Sequence, residues 1–258
     1  MTAVVCRLVD GLLLSVGEPG DALTRAIAED RFELNERDFI ASTVRPGRHV
    51  LDIGAHLGAH TLRLAALTAP DGTVTAIEPC RRHLVLLTES LALNHFERRV
   101  TVVHAAACDV AGVRELIVSA PGLATCNAWL RPSGYAESGA SYDRVPTVRV
   151  DDLVMPRPIS FIKLDAEGAE GLILSGARAL LAHDRPVMLV DLHPHLLPLV
   201  SGTTPRQVID EMAGLGYRCR LLGAGVEGAL IDDLPSSAVT PVVFRQPVIG
   251  GAHPAGVL

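Results

Sequence analysis

The sequence lacks the features that mark nucleic-acid-binding and membrane proteins. Aromatic residues make up only 3% of its 258 residues, the net charge is −6, and no basic stripe or cluster of stacking aromatics occurs. We therefore expect no nucleic-acid partner, because such binding needs positive charge toward the phosphates. No apolar run approaches the roughly 20 residues of a membrane span. The first residues also lack the charged-then-apolar layout of a secretory signal. These absences predict a soluble cytoplasmic protein without a membrane partner.

Cysteine is scarce and irregularly spaced. The five cysteines are Cys6, Cys80, Cys108, Cys126 and Cys219, and none of them forms a Cys-x-x-Cys pair. This spacing argues against a zinc knuckle and against a disulfide framework. The sequence also shows no internal repeat and no signal of an oligomeric state.

Lysine is almost absent. Lys163 is the single lysine among 23 basic residues, and it lies inside an apolar run. A lysine in a strand that is covered on both faces costs several kcal/mol unless it is paired. Asp165 lies two residues later on the same strand face and is the nearest candidate partner. A purely structural ion pair and a lysine kept by chance on the surface are the alternative interpretations.

The strongest positive signal is a strand–turn–helix–strand unit. The apolar run Val50–Ile53 leads into a turn with Gly54 and Gly58, and a second apolar run ends at Glu78, 24 residues after Gly54. Such a unit holds a nucleoside-bearing cofactor at the carboxyl ends of two parallel strands. Glycine allows close approach of the backbone, and the acid can accept hydrogen bonds from both ribose hydroxyls. A plain turn with glycine needed for packing is the alternative.

The spacing of this unit distinguishes between cofactors. The dinucleotide fingerprint Gly-x-Gly-x-x-Gly is missing, and the turn reads Asp-Ile-Gly-Ala-His-Leu-Gly from Asp52 to Gly58. Asp52 would repel a pyrophosphate, but it suits a cation such as the amino group or sulfonium of S-adenosylmethionine. The pattern therefore favours S-adenosylmethionine. A nucleotide-dependent oxidoreductase and a non-catalytic binding protein that kept the fold are the alternative functions.

Strand and helix patterns alternate through the core, which we assign to residues 50–246. The predicted strands are Val50–Ile53, Val74–Ile77, Val100–Ala105, Ser160–Asp165, Val187–His193, Tyr217–Leu222 and Val239–Arg245. The predicted helices are Thr61–Leu67, Arg81–His95, Gly168–Asp184 and Thr204–Leu215. This alternation predicts an α/β, Rossmann-like fold with a mostly parallel central sheet and helices on both faces.

Segments of other character flank and interrupt the core. Residues 1–49 are predicted to form an N-terminal cap on the substrate side. Within this cap we expect a hairpin at Arg7–Val16 and helices over Asp21–Asp30 and Asn35–Val44. An irregular, β-rich insertion covers residues 112–150, and its part Pro121–Val145 reads as a long loop. Residues 247–258 are expected to be a loose tail.

Polar residues concentrate where two further core strands end. Lys163 and Asp165 lie near the end of one strand and Glu167 follows it, and Asp191 and His193 share a face of the next. Ligands of parallel sheets bind outside these strand ends. A histidine oriented by a carboxylate can act as a general base toward a hydroxyl, so His193 is the predicted base. A divalent ion held by the acids and His193 is less favoured, because their spacing follows strand ends rather than a dedicated ligand loop.

These residues resemble the FkbM-type S-adenosylmethionine-dependent methyltransferases, which belong to the class I Rossmann-like methyltransferases. The matching segments are Pro46-Gly47, Asp52–Ala55 with Gly58 and Thr61, Ile77–Pro79, Leu93-Asn94, Ala107–Gly112 with Asp109, Val150–Leu153, Ile162–Glu170, Leu174 with Gly176, Arg185–Val187, and Asp191–Pro194. The resemblance spans roughly Pro46 to His195. The order Lys-x-Asp-x-Glu-Gly after the glycine turn is its most specific part.

The resemblance implies transfer of a methyl group from S-adenosylmethionine, usually to a hydroxyl oxygen of a natural product or sugar. The acceptor would then be a small molecule. Together with the strand ends it gives the candidate cofactor contacts Asp52, Gly54, Ala55, His56, Gly58, Thr61, Glu78, Pro79, Ala107 and Asp165, with the turn at Ala107 facing the adenine. The candidate catalytic residues are His193, Lys163, Asp165 and Glu167, and no residue is assigned to a metal.

Three positions depart from the family pattern. His56 replaces the usual asparagine of the glycine turn, His60 stands where an aromatic or apolar residue is common, and Asp191 replaces a glutamate. These changes leave the glycine turn and the ribose acid in place.

Overall fold

Fourteen strands and seven helices are defined in the computed structural model, which describes residues 4–17, 25–27, 29, 31–118, 128–136, 139–234 and 237–247. The strands are β1 Val4–Arg7, β2 Leu13–Val16, β3 His49–Ile53, β4 Thr73–Ile77, β5 Val100–Val103, β6 Ala106–Ala107, β7 Gly112–Val118, β8 Trp129–Leu130, β9 Ser141–Val148, β10 Ile159–Leu164, β11 Val187–Leu192, β12 Arg218–Gly223, β13 Val226–Leu230 and β14 Thr240–Arg245. The α-helices are Leu34–Thr43, Ala59–Leu67, Arg81–Leu93, Glu170–Ser175, Arg178–Asp184, Leu197–Val200 and Pro205–Gly214, and Val150–Asp152 forms a 3-10 turn.

An eight-stranded sheet in the order β13-β12-β14-β11-β10-β3-β4-β5 forms the centre of the fold. Strands β11, β10, β3, β4 and β5 run parallel, whereas β14, β12 and β13 pair antiparallel at one side. The chain passes from β3 to β4 in one direction and from β10 to β11 in the other. The strand order therefore reverses between β3 and β10. The predicted α/β fold with a mostly parallel sheet is confirmed.

The strands of this sheet are continuous apolar runs because both faces are covered. Side chains of β3 alternate between two buried clusters: Val50 packs on one side, and Leu51 and Ile53 on the other. Two charged side chains interrupt the pattern. Asp52 on β3 and Lys163 on β10 lie opposite each other in register and are both buried. Both side chains line a cavity at the carboxyl ends of these strands.

A second, four-stranded sheet in the order β6-β9-β7-β8 lies between β5 and β10 in the sequence. Its longest pairing joins β7 and β9 antiparallel, from Gly112–Thr147 to Val118–Ser141. The sequence pattern predicted a loop over Pro121–Val145, and this prediction is wrong for β8 and for most of β9. Only two of the eight side chains of β9 are buried, so its hydrophobic signal is weak. Residues 119–127 and 137–138 of this insertion lie outside the described residues.

The N-terminal part packs on the core through its hairpin. Strands β1 and β2 pair antiparallel as predicted, and Gly11 in the turn has a φ of 84°. The N–H of Leu13 donates to Oδ1 of Asn94 at 2.9 Å, beside the end of the helix that follows β4. The helix predicted over Asn35–Val44 is confirmed. Most of the one predicted over Asp21–Asp30 lies outside the described residues, although residues 25–27 are helical. The assignment of residues 1–49 to a substrate-side cap stays a prediction.

Two helices, Glu170–Ser175 and Arg178–Asp184, replace the single helix predicted over Gly168–Asp184. The first of the two helices ends before Gly176, where a Cβ would lie 2.0 Å from the backbone carbonyl oxygen of Cys108 in the loop before β7. The carboxylate of Asp151 accepts two N–H groups at the start of the second helix. The predicted helix is interrupted at Ala177, which has a φ of −117° and a ψ of 8°.

No helix within the described residues combines the length and the apolar character that a bilayer crossing requires. The described cysteines Cys6, Cys80, Cys108 and Cys219 are free thiols. Residues 248–258, most of the predicted tail, lie outside the described part of the chain.

Candidate functional site

A cavity of about 330 Å³ opens at the carboxyl ends of β3, β4, β10 and β11. Ligands of open parallel sheets bind at this edge, where the strand order reverses. The sequence-predicted residues that line it are Asp52, Gly54, Ala55, His56, Glu78, Pro79, Ala107, Lys163, Asp165, Glu167 and His193. The fold therefore brings nearly all of the predicted site residues to one cavity.

Gly58 and Thr61 lie behind the cavity wall rather than in it. Gly58 has a φ of 94°, and a Cβ there would lie 2.5 Å from the Leu87 side chain. Thr61 is fully buried, and its hydroxyl donates to the Asp52 carboxylate. Gly58 thus allows close helix packing and Thr61 positions a residue of the wall, and the cofactor contacts expected for both stay a prediction.

The glycine turn after β3 is held against two neighbouring strands. The N–H groups of Gly54 and Ala55 donate to the carbonyl oxygen of Ile77 at 2.9 and 3.2 Å. Gly54 has a φ of 81°, and a Cβ there would lie 1.7 Å from the carbonyl oxygen of Asp165. Only glycine fits this contact, because any side chain would overlap the end of β10. The turn therefore lies directly beside the ends of β4 and β10.

Glu78, at the end of β4, is fixed by three donors. Its Oε2 accepts the N–H of His56 at 2.9 Å, and its Oε1 accepts the N–H of Cys80 at 2.8 Å. Nδ1 of His83 lies 3.1 Å from Oε1. Burial alone would raise the pKa of Glu78, but the hydrogen bond and charge of His83 lower it below its ordinary value. Glu78 is thus an ionised acceptor in the cavity wall.

His83 and Cys80 share the surroundings of Glu78. Burial would lower the pKa of His83, but its hydrogen bonds to Cys80 and Glu78 and their negative charge raise it to about 9. Burial would raise the pKa of the Cys80 thiol, yet the hydrogen bond and charge of His83 lower it. His83 therefore carries a positive charge at neutral pH and compensates the buried Glu78.

Asp52 faces the cavity from β3 and is only 1% exposed. The hydroxyl of Thr61 donates to its Oδ2 at 2.5 Å. Burial raises the pKa of Asp52 above its ordinary value, although Lys163 and Thr61 act in the opposite direction. The raised pKa means that Lys163 and Thr61 do not fully offset the burial of the carboxylate. A cationic ligand group beside Asp52 would therefore stabilise its ionised form.

Lys163 is surrounded by carboxylates, as its position inside a strand predicted. Its Nζ lies 3.1 Å from Asp165, 3.5 Å from Asp191 and 3.7 Å from Glu33. Burial would lower the pKa of Lys163, but these charges hold it well above its ordinary value. Lys163 is thus a buried ammonium ion, which overturns the interpretation of a lysine kept on the surface.

His193 lies on the other side of the Asp165 carboxylate from Lys163 and is held by Glu170. Nδ1 of His193 lies 3.1 Å from Oε1 of Glu170, and Nε2 points toward Glu167 and Asp165 at 3.4 and 3.6 Å. Burial would lower the pKa of His193, but Glu170, Asp165 and Glu167 raise it to about 10. An imidazole protonated at neutral pH cannot accept a proton from a hydroxyl, so this geometry does not support the predicted role of His193 as the base.

Glu167 completes this side of the cavity. Its backbone is left-handed, with a φ of 49°. Burial, followed by the charges of Asp165 and Glu170, raises the pKa of Glu167 to about 7 against the opposing effect of His193. The polar wall of the cavity, which we define as Lys163, Asp165, Glu167, Asp191 and His193, therefore carries more carboxylates than cations.

Three residues of the site were missed by sequence reasoning. Glu33 comes from the N-terminal part, where no motif marked it; its Oε2 lies 2.7 Å from Nε2 of His60. His83 lies five residues after Glu78, in the first turn of the helix that follows β4. This spacing could have suggested the contact between the two side chains. Glu170 was noted only as part of the matching segment, yet it is fully buried and holds His193.

A family profile and a known protein match parts of the chain. The description Methyltransferase FkbM domain applies to the family profile that matches residues 52–219. A demethylmenaquinone methyltransferase from Symbiobacterium thermophilum is 30% identical over 97 residues, which are 37% of this chain and 39% of that protein. The chain thus spans about two fifths of that relative.

Solved structures show a related fold. A protein provisionally named an rRNA-methylase, from Clostridium thermocellum, superposes with a TM-score of 0.51 at 13% identity, over 83% of this chain and 95% of that one. Methyltransferase FkbM from Methylobacillus flagellatus gives a TM-score of 0.49 at 19% identity, over 93% of this chain and 56% of that one. The profile match covers more than half of the sequence, so the chain belongs to the FkbM methyltransferase family.

Proposed function

We propose that the chain transfers a methyl group from S-adenosylmethionine to a hydroxyl oxygen of a small molecule, such as a natural product or a sugar. The observation that carries this proposal is the position of Glu78. Its ionised carboxylate lies at the end of β4, lines the cavity and accepts the N–H of His56 from the turn after Gly54. An acid in this position suits the two hydroxyls of a ribose.

The cavity offers different surroundings to the different parts of this cofactor. Small and apolar side chains of the loop after β5 and of the second sheet suit an adenine: Ala105, Ala106, Ala107, Leu116, Trp129 and Leu130. The acid-rich end at Asp52 and Asp165 suits the positively charged amino and sulfonium groups. The cofactor supplies the methyl group on that sulfonium. The surplus of carboxylates therefore agrees with a cationic ligand and disagrees with a pyrophosphate.

The polar wall supports an oxygen acceptor. Lys163 and His193 can donate hydrogen bonds, and the carboxylates of Asp165 and Glu167 can accept one from a hydroxyl. Methyl transfer is an in-line displacement, so holding the oxygen close to the methyl carbon supplies much of the rate. The wall would orient the acceptor hydroxyl in this way.

Calorimetry with S-adenosylhomocysteine tests the cofactor assignment. Glu78→Ala should weaken binding by about 1.5–3 kcal/mol, the range for a hydrogen bond to a charged acceptor. Glu97→Ala is the matched control, because Glu97 is an exposed glutamate in the loop after the helix Arg81–Leu93. This variant should bind S-adenosylhomocysteine as the unchanged protein does. Equal affinity of a folded Glu78→Ala variant would refute the assignment.

Two further measurements separate the alternative functions. Binding of NADH in place of S-adenosylhomocysteine would favour a nucleotide-dependent oxidoreductase. Labelled methyl transfer from S-adenosylmethionine to a panel of hydroxyl and amine acceptors tests the oxygen preference. Cofactor binding with no transfer to any acceptor in the panel would favour a non-catalytic binding protein.

A further inference from the structure

Three donor atoms converge on the His193 side of the polar wall: Nε2 of His193, Oε2 of Glu167 and Oδ1 of Asp165. Nε2 lies 3.4 Å from the Glu167 oxygen and 3.6 Å from the Asp165 oxygen. All three side chains offer ligand atoms within 4.8 Å of one another. Donors that each lie about 2.1 Å from one ion are separated by roughly 3.0–3.5 Å. The observed separations are close to those of a set of metal ligands.

Two of these donor atoms have no hydrogen bond within the described residues. The His193 side chain is only 7% exposed, and the hydrogen bonds of its ring both go through Nδ1. Oδ1 of Asp165 is buried and also has no hydrogen-bond partner in the described chain. Buried polar atoms nearly always have partners, because an unsatisfied one costs free energy. In the metal-free chain the Nε2 proton of His193 faces the Asp165 and Glu167 carboxylates. A metal ion that displaces this proton would bind Nε2 and satisfy the buried Asp165 oxygen.

Glu170 fixes the ring so that Nε2 faces the other two donors. It is fully buried, and its Oε1 accepts the N–H groups of Ala166 and Gly168 as well as contacting Nδ1 of His193. Histidines that bind metals almost always donate their second ring N–H to a carboxylate or carbonyl, which sets the tautomer. Glu170 therefore stands in the position of such a supporting carboxylate.

The neighbouring group of carboxylates contains a cation of its own. Glu33, Asp165 and Asp191 also have the spacing of metal ligands, but Nζ of Lys163 lies 3.1–3.7 Å from all three. Asp165 belongs to both groups, because its Oδ2 pairs with Lys163 while its Oδ1 faces His193. A metal ion is therefore expected beside His193, whose imidazole becomes a metal ligand once its Nε2 proton is displaced, rather than beside the Lys163 ammonium.

We propose that His193, Glu167 and Asp165 bind one divalent transition-metal ion, with Glu170 as the supporting carboxylate. One imidazole and two carboxylates suit Mn²⁺ or Zn²⁺ better than Mg²⁺, which prefers oxygen ligands alone. The sequence had disfavoured a metal because no ligand loop was visible, but the fold assembles the donors from two strand ends. Resting on the proposed methyl transfer, the ion would hold the acceptor oxygen and make its hydroxyl more acidic.

Electron paramagnetic resonance of Mn²⁺ tests the site without an activity assay. The full chain, stripped of metal with EDTA and exchanged into buffer, is titrated with Mn²⁺, and the loss of the free-ion signal counts bound ions. We expect one bound ion per chain. Glu167→Gln and His193→Ala should each weaken its binding at least tenfold. His195→Ala, which removes an exposed histidine two residues away, is the matched control and should bind Mn²⁺ as the unchanged chain does.

Thermal unfolding of each variant shows that it is folded, and Glu167→Gln keeps the side-chain volume if His193→Ala is unstable. Absence of stoichiometric Mn²⁺ binding, or equal binding by both folded variants, would overturn the site. S-adenosylhomocysteine calorimetry in EDTA separates the two proposals. Cofactor binding without Mn²⁺ binding rejects the metal alone, and Mn²⁺ binding without cofactor binding rejects the methyl transfer and keeps the site.

Discussion

The carbonyl oxygen of Asp165 lies 1.7 Å from the position that a Cβ would take at Gly54. This contact joins the glycine turn after β3 to the polar strand end of β10, which are more than one hundred residues apart in the sequence. The glycine turn and the polar wall of the cavity are therefore held at a fixed separation by backbone rather than by side chains.

Gly54→Ala should destabilise the protein by more than about 3 kcal/mol, because the new methyl group overlaps a backbone atom that cannot rotate away. Gly11→Ala is the matched control: Gly11 has a similar φ of 84° with nothing within 4 Å of its Cβ position. It should lose only the roughly 1–2 kcal/mol of a left-handed residue. Urea unfolding measures both, and equal losses would show that the contact with Asp165 is relaxed at low cost.

Lys163→Met should lower the free energy of unfolding by about 3–5 kcal/mol, because three carboxylates would lose their shared ammonium in a buried site. Arg63→Met provides the comparison. Arg63 is also buried, but its partner Asp10 is 36% exposed and can be hydrated after the change. The free energy of unfolding should therefore fall clearly less in Arg63→Met than in Lys163→Met. A Lys163→Met protein with the original melting temperature would contradict the buried ion cluster.

Thr61→Val should cost about 1–3 kcal/mol, because the buried Asp52 carboxylate loses its only short side-chain hydrogen bond within the described residues. Thr61→Ser keeps the hydroxyl and should cost less. If Asp52 binds the cationic end of the cofactor, Thr61→Val should also weaken S-adenosylhomocysteine binding. Calorimetry and chemical unfolding together check both effects, and similar values for the two variants would argue against the Thr61 contact.

The His83–Glu78 pair should make stability depend on pH. The pKa of His83 is raised to about 9 in the folded chain from about 6.5 when unfolded. Its contribution is therefore complete below about pH 6.5 and is lost as the pH rises through about 9. The lowered pKa of Cys80 acts with the opposite sign, so the measurement uses the Cys80→Ser variant. This change also removes contacts that raise the pKa of His83, so the His83 shift is smaller in this variant and rests on Glu78. Unfolding free energy should fall by at least about 1.4 kcal/mol, equal to one pKa unit.

The control for this pH dependence is His83→Gln in the same Cys80→Ser background. It should remove most of the decline between pH 6.5 and 9, because glutamine does not titrate. A decline of equal size without His83 would assign it to another group.

Much of the fold could be predicted from the sequence because parallel strands buried on both faces are continuous apolar runs. Val50–Ile53, Ser160–Asp165 and Val187–His193 were recognisable in this way, and their polar ends were expected at one sheet edge. Most of strand β9 was not predicted, since most of its side chains are exposed and its alternation is weak.

The site was predictable where a strand end carries the residue and unpredictable where distant segments meet. Asp52, Glu78 and Lys163 belong to the first class. Glu33 belongs to the second, because it approaches Lys163 across 130 residues of sequence and no local pattern encodes that contact. The environment of His193 was also hidden: the sequence contains the histidine, but the three carboxylates that control its protonation become visible only in the folded chain.

The single lysine also makes the site chemically addressable. Apart from a terminal amino group, Nζ of Lys163 is the one primary amine in the sequence, and its side chain is only 4% exposed. Amine-directed reagents that modify a folded protein at many surface positions would here have one internal target. The rate of acylation at Lys163, followed by mass spectrometry, would therefore report how often the polar wall of the cavity becomes accessible to solvent.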